Sequence, residues 1–133
     1  MIAAFPLLVL VIGAYNLAAF AGADAFDGSL MSIALLSGAV WEVSLGDLLI
    51  AVGLVLLYFE IFKATRTSTA SIVDHVLSLV VFVVALLEFL VLPAFGTSAF
   101  FILLLMTLID VIAGFTVTIS TARRDIGLER GIN

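Results

Sequence analysis

Cysteine is absent from the 133 residues, which excludes a disulfide framework, a thiolate metal site and a cysteine nucleophile. Histidine occurs once, as His75, so no paired-histidine metal site can be built. Charge is almost as scarce: 11% of residues are charged, against about 25% in soluble domains. Only five are Lys or Arg, too few for the basic stripe that meets nucleic-acid phosphates. No Gly-rich phosphate loop, nucleophile elbow or zinc-helix motif occurs. The expectation is therefore no enzyme, with no catalytic residues, no metal and no cofactor. A lipid-modifying enzyme using Arg66, Asp74 and His75 at headgroup level is the weakest alternative, because no motif supports it.

What the chain has in abundance is apolar surface. Hydrophobic residues make up 65%, and the mean hydropathy is +1.40. A small soluble domain leaves much of its surface exposed and could not hide so much of it. The predicted class is an all-α integral membrane protein with the bilayer as its solvent. Four apolar runs approach the roughly 20 residues a span needs, at 2–22, 45–63, 72–92 and 99–121. Together they predict a four-transmembrane-helix bundle forming a single domain over 1–133, with a flexible polar tail at 122–133.

The run 2–22 ends in small residues that resemble a signal-peptide cleavage site. It has no basic n-region, however, and its apolar stretch is too long, so it reads as a first span with Pro6 in its opening turns. Gly13 and Asn16 mark a face suited to meeting another helix. Ser44 and Asp47 form a capping signature for the second helix, and Ser71 with Asp74 repeats it for the third. Leu92-Pro93 stops that third helix, since a residue before proline is biased out of helical geometry. The stretch 30–41 is too short to cross, and is expected to be a short interfacial or re-entrant helix anchored by Trp41.

If four spans are present, Lys63, Arg66, Arg123, Arg124 and Arg130 share one side. The opposite long loop holds Asp24, Asp27, Glu42 and Asp47. The positive-inside rule then puts both termini in the cytoplasm of a multi-pass plasma-membrane protein, bacterial inner membrane by class.

Asp110 lies about 18 Å into the fourth helix, near the middle of a core roughly 30 Å thick. A carboxylate there has to be neutral, hydrated or paired, and an ionisable group at such depth is a functional hypothesis by default. Thr107, Gly114 and Thr118 share its face, where the threonines can donate to the carboxylate and Gly114 admits a neighbouring backbone. Glu88 and Glu60 lie near opposite ends of their spans, and Glu60 sits three residues before Lys63 in a snorkelling pair. A Glu60–His75 contact would suit a proton gate. The first function expected is an oligomeric proton- or cation-coupled translocator using Asp110, with Glu88 and Glu60 on its two approaches. The alternative is a non-catalytic subunit or assembly factor of a larger membrane complex. Expected partners are the lipid bilayer and either further copies or other membrane proteins.

Overall fold

The computed structural model describes residues 4–66 and 69–132. Four α-helices carry the fold: α1 Leu8–Ala21, α2 Leu45–Ala64, α3 Thr69–Val91 and α4 Ser98–Ile132. Three of them, α2, α3 and α4, are long and apolar enough to cross a membrane. Their apolar side chains are exposed around most of the outside, and this arrangement is compatible with a multi-pass membrane protein.

The first helix is shorter than its apolar run. Phe5 precedes proline and Pro6 has no N–H to give, so residues 4–7 lie outside the regular helix, which begins at Leu8. Its 14 residues extend about 21 Å, less than a hydrocarbon core of about 30 Å. The expected span 2–22 is corrected accordingly, with residues 2 and 3 outside the described ones. Gly13 faces open space rather than a neighbouring helix.

α2 starts as its sequence specifies. The Asp47 backbone N–H donates to Ser44 Oγ at 3.2 Å, and the Ser44 N–H donates to Asp47 Oδ2 at 2.9 Å. This is a complete capping box with Asp in the usual Glu position. Gly46, Leu49, Gly53, Leu57, Glu60 and Ala64 form its buried stripe, at the three- and four-residue spacing of one helix face. A Cβ at Gly46 would stand 3.1 Å from Ala99 Cβ, and one at Gly53 would stand 2.9 Å from Met106 Sδ. The two glycines are what let α2 lie close along α4.

α3 begins at Thr69, so Asp74 is well inside the helix and does not cap it. It ends where proline requires: Leu92 is extended (φ −100°, ψ 118°) and Pro93–Phe95 form a single 3₁₀ turn into α4. α4 does not stop near 121 but continues to Ile132. The tail expected to be flexible is helical, as the strong helix formers Arg, Leu and Glu allow.

The stretch 30–41 is neither an interfacial nor a re-entrant helix. Ser29–Ala34 (β1) pairs antiparallel with Val40–Ser44 (β2), matching Ile33 to Trp41 and Ala34 to Val40. Gly38 (φ 85°) closes the turn, its N–H donating to the Leu35 carbonyl at 3.0 Å, while Leu35 N–H meets the Ala39 carbonyl at 2.9 Å. A left-handed glycine at a hairpin turn, followed by Val, Trp and Val in β2, outweighs the helix preference of the Ile-Ala-Leu-Leu run at 33–36.

Candidate functional site

The interior has two unlike ends. At the α3–α4 turn, Tyr15 is fully buried among rings. Its centroid lies 4.5 Å from that of Phe26, 4.8 Å from Phe100 and 5.5 Å from Phe95. Its hydroxyl lies 2.6 Å from Thr97 Oγ1 and 3.4 Å from the Ala94 carbonyl. The single polar atom in this wall is satisfied.

Near the junction of α2 and α3 the interior is acidic. Glu60 is 1% exposed, Asp74 3% and Asp110 4%, one from each long helix. Lys63 is turned inward, its side chain 17% exposed. Its Nζ donates to Glu60 Oε1 and Oε2 at 3.3 Å, to Asp74 Oδ1 at 3.2 Å and to the Phe5 carbonyl at 2.6 Å. The Leu7 N–H, left over by the start of α1, donates to Glu60 Oε1. One ammonium therefore ties the start of the described chain to α2 and α3.

Asp110 has no ammonium of its own. It lies opposite the buried hydroxyl of Ser78, which forms no hydrogen bond of good geometry among the described residues. Glu60, Lys63, Asp74 and His75 are all within electrostatic reach of it. His75 is 7% exposed, and its ring lies flat against α4 where Gly114 has no side chain. A Cβ at Gly114 would be 2.5 Å from His75 Nδ1 and 2.8 Å from Cε1. Among the described residues no three His, Asp or Glu side chains converge closely enough to hold a metal ion.

The structure thus gathers Glu60, His75 and Asp110 at one end. Glu88 stands apart: its carboxylate accepts from Asn16 Nδ2 at 3.2 Å, joining α1 to α3. Between Glu88 and Asp110 lie Ala85, Leu103 and Leu104, all buried and apolar. The expected threonine donors to Asp110 are occupied otherwise. Thr107 Oγ1 donates to the Leu104 carbonyl at 2.6 Å, and Thr118 Oγ1 to that of Gly114 at 2.9 Å. Lys63 does not snorkel outward but bridges helices, and Asp74 is its second partner rather than a helix cap. Arg66 is exposed while Asp74 and His75 are enclosed, so these three do not form a headgroup-level triad.

Ser78 is not singled out by charge or depth, though its spacing carries a signal. Asp74 and Ser78, four residues apart, form a short polar stripe on α3 facing the Thr107–Asp110–Gly114 stripe on α4. No family model, curated protein or solved structure matches the chain.

Proposed function

We propose that the protein is a small plasma-membrane translocator that carries protons, or a cation coupled to them, through the acidic cluster, with Asp110 as the exchanging group. The observation that carries this reading is the imbalance of buried charge. Glu60, Asp74 and Asp110 face a single ammonium, that of Lys63. Three carboxylates against one ammonium leave the cluster short of positive charge, and burying uncompensated charge is costly. Lys63 holds Glu60 and Asp74, which leaves Asp110 as the site for exchange. The basic residues support an orientation with this end toward the cytoplasm. Lys63 and Arg66 end α2, Arg123, Arg124 and Arg130 lie on the far part of α4, and Phe5 is brought to Lys63. The apolar layer between Asp110 and Glu88 is the gate that a working cycle must open, at an interface between copies.

The test is proton flux into proteoliposomes under an imposed gradient. Asp110→Asn keeps shape and hydrogen bonding but exchanges no proton, so it should assemble normally and abolish flux. A variant that conducts like the parent removes Asp110 from the mechanism. The second reading, a subunit of a larger membrane complex, draws on the hairpin. Met31, Ile33 and Trp41 share one face of it and are exposed, and an isolated two-stranded hairpin is marginal in stability. A photo-crosslinker at position 41 that captures one defined protein, together with no flux in the parent, would favour that reading.

A further inference from the structure

A second polar feature lies beyond the acidic cluster, where α2 ends, α3 begins and α4 runs on. It is a groove of about 230 Å³. Arg66 and Ser71 line one side, Thr118, Thr121 and Asp125 line the other, and Ile72 and Val117 contribute to its apolar wall. Arg66 and Asp125 form no ion pair with each other among the described residues. Thr121 Oγ1 donates to the Val117 carbonyl at 2.9 Å, as Thr118 does to that of Gly114. Each hydroxyl has thus spent its proton on its own helix and offers only lone pairs to the groove. One wall of the groove therefore carries a guanidinium and the other a row of acceptors.

The depth fits a lipid. Val117 to Asp125 lie about 28–40 Å along α4 from Ser98, starting at the edge of a hydrocarbon thickness of about 30 Å and running past it. The 20 residues of α2 also extend about 30 Å and end at this groove. It therefore opens at headgroup level when α2 and α4 cross the bilayer.

We propose that this groove binds the headgroup of an aminophospholipid, with its phosphate on Arg66 and its primary ammonium among Thr118, Thr121 and Asp125. A guanidinium is well suited to a phosphate. The acceptor wall reads N–H groups, which an ethanolamine ammonium has and a choline does not. The site rests on the membrane reading and is independent of the exchange at Asp110.

The test is binding of phosphatidylethanolamine, phosphatidylcholine and phosphatidylglycerol with identical acyl chains to the full chain in detergent, by native mass spectrometry. Phosphatidylethanolamine should bind about tenfold more tightly than phosphatidylcholine, the effect of losing one charge-assisted hydrogen bond. Asp125→Asn should erase that preference, and Arg66→Gln should weaken both lipids. Both residues are exposed, so neither change threatens the fold. Equal binding of the two zwitterionic lipids, a preference for phosphatidylglycerol, or an Asp125→Asn variant that still discriminates would overturn the proposal. So would soluble glycerophosphoethanolamine competing as well as the lipid, because the groove would then read a free headgroup. Asp110→Asn should keep the phosphatidylethanolamine preference whether or not it conducts protons, so a failure of the exchange reading is distinguishable from a failure of this one.

Discussion

At the Thr97 end of the interior, Tyr15 brings one hydroxyl into a wall of rings and finds two oxygens waiting for it. At the Lys63 end, Glu60, Asp74 and Asp110 are buried about as completely, yet share one ammonium and leave Ser78 Oγ without a well-formed partner. The first end behaves as a finished core, in which every buried polar group is satisfied locally and ring packing supplies the stability. The second end holds together through a few long-range ties, and its charges do not balance. Buried polar groups that are fully paired rigidify a fold, whereas incompletely paired ones are expensive and tend to mark function. The contrast is between an end whose polar groups are matched locally and an end whose charges are not.

The largest effect should come from removing the shared cation. Lys63→Met leaves two buried carboxylates without their ammonium, at a cost of about 3–5 kcal/mol. Thermal unfolding in detergent should show it, with partial recovery when Glu60→Gln and Asp74→Asn are added. An unchanged midpoint for Lys63→Met alone would erase the distinction between the ends. Gly114→Ala comes next. The added methyl meets the His75 ring at 2.5 Å, and overpacking of this kind costs about 1–3 kcal/mol. Combining it with His75→Ala should restore much of the loss, and failure to do so would mean that the ring is not what the methyl meets.

At the aromatic end, Tyr15→Phe keeps the rings and removes the hydroxyl, so about 1 kcal/mol should be lost. On the proposed translocator reading proton flux should be untouched, and a flux defect would show that the two ends are not separable. Gly53→Ala sits between them and should show a smaller loss. Its methyl meets Met106 Sδ at 2.9 Å and Leu103 Cδ2 at 3.1 Å, and both side chains are buried, though the thioether is flexible enough to yield in part. Alanine also gains about 0.8–1.0 kcal/mol of helix propensity over glycine. A loss as large as that of Gly114→Ala would show the α2–α4 seam to be stiffer than its side chains suggest.

The long helices were legible in the sequence because run length, the Ser44–Asp47 box and Leu92-Pro93 are local signals. The hairpin was not, since Ile-Ala-Leu-Leu at 33–36 reads as helix unless the left-handed Gly38 is known to turn the chain. The shortness of α1 was hidden for a similar reason: Pro6 is compatible with a first turn, and only the break at Phe5–Leu7 shows that the regular helix starts later. Asp110 and its stripe were found from depth and spacing. Which carboxylates join it was not, because Lys63 satisfies its i−3 neighbour equally well facing outward. Only the crossing of α3 beside α2 decides that Asp74 is its second partner. Glu88 was grouped with Asp110 by depth alone, and depth does not say which side of an apolar layer a residue faces.

The unbroken length of α4 has a mechanical meaning. Ser98 to Ile132 is one helix of 35 residues, about 52 Å long, without proline to bend it. Its first half carries Asp110 against Ser78, and its second half projects past the ends of α2 and α3 with Arg123 and Arg124 on it. A rod of this kind has no slack. Any roll that turns the Asp110 carboxylate away from its neighbours turns the projecting arginines with it, and a load applied at the projecting end is felt as torque at the carboxylate.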